Sequence, residues 1–244
     1  MRSFWVALQF LTRIPVLRLT NISAQERGRS VLYYPVVGLL IGALLSGMHI
    51  SLVTADASLQ AAIILLAWVL ITGGLHLDGL ADSADAWAGS HGEREKALRI
   101  MKDAASGPAG VTAIVLILLL KFATLSVLIR ENIWQGLIIA PVLGRMAIVF
   151  LFLSTPYVRL GGLGADHAAH LSRLAATIIL ILVTAIVIAL GGIGLAALAM
   201  GFSLLLILRL MMIKRLGGVT GDTLGAACEL VEAAVLAAIV LVWG

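Results

Sequence analysis

Three aspartates at regular spacing are the residues of this chain best suited to chemistry. Asp78, Asp82 and Asp85 lie within the segment GGLHLDGLADSADAW, residues 73–87. Intervals of four and three residues place their side chains on one face of a helix, where like charges repel. A divalent cation would turn this repulsion into binding, and carboxylate oxygens are ligands that Mg²⁺ prefers. We therefore predict a Mg²⁺ site here, the alternative being a solvated first turn of a helix, where aspartate is common.

A second polar cluster occupies the segment RLGGVTGDTLGAACELVE, residues 215–232. Its glycines predict a flexible loop that leads into a helix near Asp222, and the free N–H groups of a helix N-terminus favour phosphate. Glu229 and Glu232 follow Asp222 by seven and ten residues, on the same helix face. Asp222 is predicted to be catalytic, with a helix N-cap as the alternative. The predicted substrate-binding residues of this cluster are Gly218, Thr220, Gly221, Thr223 and Glu229.

Basic residues elsewhere could hold the phosphate groups of a substrate. Lys102 lies within the amphipathic segment REKALRIMKDAASGPAG, residues 94–110, where it is either a catalytic contact or part of a solvated face. Lys121 and Arg145 interrupt apolar segments, in which a cation must reach the interface or meet an anion. We predict that both contact the substrate, as does His76 of the aspartate segment.

Membrane-spanning helices must position these residues. The chain has 244 residues, of which 61% are hydrophobic and 12% charged, and its mean hydropathy is +1.09. No soluble domain of this length could bury so much apolar surface. The apolar runs are continuous, which excludes the short alternating segments of a β-barrel. We predict an all-α, polytopic integral membrane helical bundle that forms a single domain over residues 1–244. Its seven predicted transmembrane helices are 31–53, 59–77, 109–129, 134–154, 174–191, 193–213 and 223–243.

Two parts of this bundle are less regular. The pair Gly191-Gly192 is predicted to be a tight turn between two short spans, because one helix through both would overrun the bilayer. Residues 1–30 contain five arginines and no small-residue cleavage site, so we expect an N-terminal interfacial segment and not a signal peptide. Phe4, Trp5 and Leu8 recur there at helical spacing. This pattern predicts either a helix with its aromatic face in lipid or one packed on the other helices.

The distribution of basic residues predicts the orientation in the membrane. Fourteen of the seventeen Lys and Arg residues fall on one side of the seven spans, and the positive-inside rule places that side in the cytoplasm. This side includes residues 78–108, the predicted catalytic loop. We expect a bacterial or archaeal cytoplasmic membrane and an active site facing the cytoplasm. The net charge of +4 suits anionic lipid or a phosphate-bearing substrate, and no basic run is long enough for nucleic acid.

Three motifs, in this order along the chain, resemble signatures of the cobalamin synthase family, the integral-membrane adenosylcobinamide-GDP ribazoletransferases. They are GGLHLDGLADSADAW, REKALRIMKDAASGPAG and RLGGVTGDTLGAACELVE. With weaker similarities between them, the resemblance extends from about Leu8 to Glu232. Two departures stand out: Asp103-Ala104-Ala105 replaces the usual aspartate-serine-arginine, and Ala86 replaces a usual glycine. Lys102 or Arg99 would have to supply a phosphate contact in place of the missing arginine.

The resemblance implies a reaction that suits the acidic clusters. Family members join adenosylcobinamide-GDP to α-ribazole or its 5′-phosphate, release GMP, and form adenosylcobalamin or its 5′-phosphate. Such a transfer needs charge neutralisation and alignment more than covalent chemistry. Mg²⁺ on Asp78, Asp82 and Asp85 would hold the diphosphate, and Asp82, Asp85 or Asp222 could accept the hydroxyl proton. The implied partners are these two substrates and the lipid bilayer, and a homo-oligomer is left open.

The two acidic clusters are expected to act together, because a diphosphate needs metal on one side and backbone or basic donors on the other. We predict that Asp78, Asp82 and Asp222 face one cytoplasm-facing cavity. Lys121 or Arg145 would lie behind that cavity as a counter-charge.

Two other protein classes share some of these features. A phospholipid headgroup transferase of the CDP-alcohol type also uses paired aspartates, but its longer pattern has an arginine after the alanine, and here Asp82 follows Ala81. An ion-coupled transporter would hold its acidic residues on a broken helix at the centre of the membrane. In this chain they lie in and beside the predicted cytoplasmic loops, which favours the transferase.

Overall fold

The computed structural model describes residues 2–16, 19–103, 105–159 and 163–244. Within these ranges the chain is helical, apart from loops and one isolated parallel bridge between Tyr157 and Val219. The α-helices are α1 (Arg2–Leu11), α2 (Ala24–Ser30), α3 (Tyr34–Ser51), α4 (Ala57–Thr72), α5 (Leu75–Gly89), α6 (Arg94–Ile100), α7 (Pro108–Arg130), α8 (Gln135–Ser154), α9 (Leu163–Ala169), α10 (Arg173–Ile188), α11 (Gly192–Leu216) and α12 (Gly221–Trp243).

Five helices are long and apolar enough to cross a membrane unaided. They are the continuous run Ala24–Ser51, which joins α2 and α3, and helices α7, α8, α11 and α12. Helices α4 and α5 together form a sixth candidate that is bent by 87°, and α10 is a shorter apolar helix. The prediction of an all-α, polytopic membrane bundle of about seven apolar helices is confirmed. The predicted turn at Gly191-Gly192 is also present, since α10 ends at Ile188 and α11 begins at Gly192.

The second predicted span, 59–77, differs from the structure at its end. Helix α4 stops at Thr72, and Gly73 and Gly74 both adopt left-handed φ angles of 63° and 68°. Glycine enters this region without the steric penalty that a Cβ imposes, so the pair ends one helix and starts another at a large angle. The aspartates therefore lie on a helix of their own, α5, and the predicted catalytic loop 78–108 begins inside that helix.

The N-terminal helix packs against the rest of the bundle along one face. Leu8 and Leu11 of α1 are fully buried, and the helix contacts α2 and α3. Trp5 remains exposed on the opposite side. Of the two alternatives for this segment, the structure therefore supports packing on the other helices for most of its apolar surface.

Helix α8 occupies the centre of the bundle, between α3 and α12. Two glycines on α3 permit close packing on one side. A Cβ added to Gly38 would lie 2.5 Å from the Pro141 carbonyl oxygen, and one added to Gly42 would lie 2.7 Å from the Ile138 Cα. On its other side, α8 packs against α12, which also contacts α5, α7 and α11. Helix α12 thus links the central helix to the helix that carries the aspartates.

Candidate functional site

Helices α5 and α12 cross at backbone contact, and this crossing brings the two acidic clusters together. A Cβ added to Gly79 would lie 2.7 Å from the Asp222 carbonyl oxygen, and one added to Gly225 would lie 3.2 Å from the His76 Cα. A side chain at Gly79 would therefore force the helices apart, and one at Gly225 would be in tight contact with α5. Because Asp78 directly precedes Gly79, the crossing places its carboxylate beside the first turn of α12.

The carboxylates at this crossing interact electrostatically. Asp82 lies beyond the second predicted span, and burial is the main factor that raises its pKa, to about 6. The charges of Asp78, Asp222 and Asp85 raise the Asp82 pKa further, while Arg159 opposes them. An acid surrounded by other acids favours its neutral form, so the site has a deficit of positive charge. A divalent cation would relieve that deficit.

Asp78 and Asp222 also line one cavity of about 160 Å³. His76 and Gly221 contribute to its wall as well. The prediction of a shared cavity therefore agrees with the structure for Asp78 and Asp222. Asp82 is partly buried next to them and is not among the residues that form this wall.

Asp85 connects α5 to the start of α7, a structural role that the sequence did not predict. Its two carboxylate oxygens accept hydrogen bonds from the backbone N–H groups of Gly107, at 2.7 Å, and Gly110, at 2.9 Å. These groups belong to the start of α7, so Asp85 holds the N-terminus of that helix against α5. A Cβ on Gly107 or Gly110 would lie within 2.6 Å of the Asp85 carboxylate, which explains the glycines. Its predicted roles in metal binding and catalysis remain predictions.

The described residues include no preformed cluster of three or more histidine, cysteine or acidic side chains that could hold a metal ion. Mg²⁺ does not require one, since it is usually bound by one or two carboxylates together with substrate phosphates and water. Asp78 and Asp82 lie one helical turn apart beside the cavity and are the carboxylates that fit this mode. The full set of three aspartate ligands remains a prediction.

Arg159 is a site residue that sequence reasoning did not identify. Its Nη1 atom donates a hydrogen bond of 3.0 Å to Asp222 Oδ2, and its side chain is one-third exposed. Backbone hydrogen bonds hold its loop beside the second cluster: Val158 N–H donates to Val219, and Val219 N–H donates to Pro156. The motif offered no signal for Arg159, because only the fold brings these two loops together.

The loop before α12 uses its predicted substrate-binding residues largely for its own structure. The Thr220 hydroxyl accepts a hydrogen bond from the Thr223 N–H, and the Thr223 hydroxyl accepts one from the Thr220 N–H, a reciprocal capping box. The helix N-cap is therefore Thr220, and the alternative that Asp222 caps α12 is wrong. Gly218 packs against Pro156, where a Cβ would collide with the carbonyl oxygen. Gly221 is exposed on the cavity wall.

A buried ionic network lies beneath the cavity. Lys121 Nζ is 2.6 Å from Glu229 Oε2 and 2.5 Å from Glu232 Oε2, and Arg145 pairs with the other oxygen of Glu232. Arg145 Nη2 lies 3.5 Å from His76 Nδ1. The two cations and two anions balance within the protein and connect α7, α8 and α12. Of the predicted substrate contacts in this network, His76 is the one that lines the cavity.

The remaining predicted contact is Lys102, in the turn after α6. Its side chain is exposed, as are those of Arg99 and Asp103. None of the described carboxylates pairs with Lys102, so its catalytic role stays a prediction. Ala104, the first residue of the departure from the family pattern, lies outside the described residues.

Comparison with known proteins covers nearly the whole chain. The family described as cobalamin-5-phosphate synthase matches residues 3–240. The chain is 52% identical over 242 residues to the adenosylcobinamide-GDP ribazoletransferase of Pseudomonas entomophila (strain L48), with 99% of each chain covered. It is 50% identical to the enzyme of the same name from Pseudomonas syringae pv. syringae (strain B728a), with 99% of this chain and 100% of the relative covered. No solved structure matches the chain.

Proposed function

Since this chain belongs to the cobalamin-5-phosphate synthase family, we propose that it catalyses the family reaction at the crossing of α5 and α12. A ribose hydroxyl of α-ribazole, or of its 5′-phosphate, attacks the cobinamide-bound phosphorus of adenosylcobinamide-GDP. The new phosphorus–oxygen bond forms as the bond to the bridging oxygen breaks. GMP leaves with that oxygen, and the hydroxyl proton passes to a carboxylate. The products are adenosylcobalamin, or its 5′-phosphate, and GMP.

The observation that carries this proposal is the convergence of three aspartates and one arginine from separate parts of the chain. Asp78 and Asp82 come from α5, Asp222 comes from α12, and Arg159 comes from the loop after α8. Phosphoryl transfer depends mainly on alignment and charge stabilisation, which such an arrangement provides.

We propose that Asp78 and Asp82 hold a Mg²⁺ ion, which when bound neutralises charge on the diphosphate and on the departing GMP. We propose Asp222 as the group that accepts the hydroxyl proton, because it lines the same cavity from the opposite helix. Arg159 orients that carboxylate through its hydrogen bond, and its exposed fraction leaves donors for a substrate phosphate. Asp85 contributes by fixing α5 to the start of α7.

We also propose that the site faces the cytoplasm of a bacterial inner membrane. The support is the excess of Lys and Arg on the side of the membrane that carries α6 and the loop before α12. Single cysteines at Glu95 and Ser58, both exposed, test this orientation in a Cys228→Ala background. A membrane-impermeant thiol reagent added outside should label Ser58→Cys and leave Glu95→Cys unlabelled. The reverse pattern would overturn the orientation.

Purified protein tests the reaction itself. The protein in detergent is given adenosylcobinamide-GDP, α-ribazole and MgCl₂, and GMP and the corrinoid product are quantified together. We expect equal amounts of both, and none when MgCl₂ is replaced by a chelator. Release of CMP from a CDP-alcohol donor would support the headgroup transferase instead. If the folded protein releases neither GMP nor CMP, the result would count against both transferases.

A further inference from the structure

The bend at Gly73 and Gly74 creates a helix N-terminus inside the predicted second span. Helix α5 begins directly after Gly74, and no side chain caps it. Its first three N–H groups, those of Leu75, His76 and Leu77, have no hydrogen-bond partner among the described residues. Leu75 and His76 line the cavity between α5 and α12. Free N–H groups and the helix dipole favour a negatively charged ligand at such a position.

The His76 side chain adds a further donor to this part of the cavity. His76 is 3% exposed, and its Nδ1 lies 3.5 Å from Nη2 of Arg145. Because a guanidinium only donates, Nδ1 must accept, and the ring hydrogen then lies on Nε2. Nε2 has no hydrogen-bond partner among the described residues, and it is not one of the polar atoms that they enclose completely. A free donor on a nearly buried residue suits an acceptor oxygen of a ligand.

The charges around the start of α5 permit an anion there. Arg13 is exposed and lies over the bend, where a Cβ added to Gly73 would collide with its Nε atom. None of the described carboxylates pairs with Arg13. Asp78 and Asp222 line the same cavity and would repel an anion. The hydrogen bond from Arg159 offsets Asp222, and the proposed Mg²⁺ would offset Asp78.

From these contacts we infer that the start of α5 and the His76 side chain bind a phosphate group of a substrate. The inference rests on the proposed function and gives a ligand chemistry to His76, which the sequence predicted only as a substrate contact. Two groups have this chemistry: the diphosphate of adenosylcobinamide-GDP and the 5′-phosphate of the phosphorylated acceptor. The cavity measures about 160 Å³, less than the roughly 300–1,000 Å³ of pockets that enclose a whole drug-sized ligand. It therefore suits one such group and not an entire substrate.

Binding measurements on the full-length protein in detergent test this subsite separately from turnover. Calorimetric titrations with α-ribazole 5′-phosphate, α-ribazole and GMP, each with Mg²⁺, compare the unaltered protein with His76→Met and His76→Gln. Methionine removes the donor, whereas the glutamine amide places one near the position of Nε2. His49→Met is the matched control, because His49 is another buried histidine, paired with Gln60 outside the cavity. The thermal unfolding midpoint of each variant checks that it is folded.

Gly74 allows the helix end to be tested without a change at His76. A Cβ added to Gly74 meets nothing within 4 Å, and both asparagine and aspartate tolerate its left-handed φ. Gly74→Asp places a negative charge beside the free N–H groups, and Gly74→Asn is its neutral match. We expect Gly74→Asp to bind the phosphate ligand about threefold more weakly than Gly74→Asn at low ionic strength, and salt should reduce this difference.

We expect His76→Met to weaken a phosphate ligand by about tenfold, as the loss of one hydrogen bond to a charged group does. His76→Gln and His49→Met should change its affinity far less. Loss confined to α-ribazole 5′-phosphate identifies the acceptor phosphate as the occupant, and loss confined to GMP identifies a phosphate of the donor.

Two results would overturn the subsite. One is that folded His76→Met and Gly74→Asp bind both phosphate ligands within twofold of the unaltered protein. The other is that His76→Met weakens α-ribazole as much as its 5′-phosphate, because the effect would then not depend on phosphate. Either result leaves the reaction intact if the unaltered protein still forms GMP. Conversely, an unaltered protein that forms no GMP but loses phosphate affinity in these variants would overturn the reaction alone.

Discussion

Gly79 of α5 rests directly on the backbone of Asp222 in α12, so close that a Cβ at position 79 would lie 2.7 Å from the Asp222 carbonyl oxygen. This contact sets the separation of the two acidic clusters. Asp78 and Asp222 line one cavity, and the close approach of their helices at Gly79 brings them there. Helix packing therefore requires glycine at position 79, independently of the carboxylates around it.

Gly79→Ala should impair catalysis more than stability. The added methyl group must push α12 away from α5, and a displacement of about 1 Å at the reacting groups can reduce turnover about a hundredfold. GMP release at saturating substrates measures the effect. Gly47→Ala is the matched control, because Gly47 is helical and a Cβ there meets nothing within 4 Å. Turnover of Gly79→Ala equal to that of Gly47→Ala would contradict the geometric role.

Much of the helical architecture could be predicted, since each apolar run long enough for a membrane became a helix. The end of the second span could not. Gly73 and Gly74 were visible in the sequence, but their left-handed angles, which redirect α5 by 87°, depend on the packing of both helices. A span that continued straight would place the aspartates at the start of a loop.

The candidate site was predictable to the extent that its residues lie in one motif. Asp78 and Asp82 share a helix face, and periodicity alone indicates this. The hydrogen bond of Arg159 to Asp222 joins the loop after α8 to the first turn of α12, which is distant in sequence, so no local pattern signals it. For Lys121, the membrane argument left two outcomes, a side chain that reaches the interface or one that meets an anion, and the structure has the second. The structure shows that the partners are Glu229 and Glu232, a choice that only helix packing determines.

Replacing Asp82 with Asn should abolish measurable transfer while the protein remains folded. The variant keeps the size of the side chain but removes a charged oxygen ligand from the proposed metal, which costs several kcal/mol of transition-state stabilisation. GMP release at increasing MgCl₂ measures this. Asp56→Asn is the control, because Asp56 caps α4, and asparagine caps a helix equally well. Near-normal turnover of Asp82→Asn at saturating Mg²⁺ would remove Asp82 from the metal site.

The Mg²⁺ requirement should depend on pH near 6. The pKa of Asp82 is raised to about 6 by burial and by neighbouring acids, and a carboxylate must lose its proton to bind the metal. Above pH 7 the group is ionised and the apparent Mg²⁺ affinity should be constant. Below about pH 6 the affinity should fall by up to tenfold per pH unit. Initial rates across MgCl₂ concentrations from pH 5 to 8 give the affinity, and a flat profile would show that Asp82 does not bind the ion.

Glu232→Gln should destabilise the protein strongly. Glu232 pairs with both Lys121 and Arg145 in the interior, and neutralising it leaves buried cations short of one anion. Removing one partner of a buried ion pair costs about 3–5 kcal/mol. The unfolding midpoint in detergent should therefore drop clearly. Asp166→Asn, which breaks the more exposed pair with Arg27, provides the comparison and should change the midpoint far less. Similar shifts for both variants would indicate that the buried network is not needed for stability.

Asp222→Asn tests whether the second acidic cluster takes part in the chemistry. Thr220 and Thr223 supply the cap of α12, so the change leaves the helix start intact, and asparagine can still accept the hydrogen bond from Arg159. The variant should fold and bind substrate, yet it lacks a carboxylate that can accept a proton. We expect turnover to fall at least about a hundredfold, the lower end of what a general base contributes. Thr220→Ser preserves the capping hydroxyl and should retain turnover. A folded Asp222→Asn protein within fivefold of normal turnover would assign proton transfer to another group and leave Asp222 with a structural role alone.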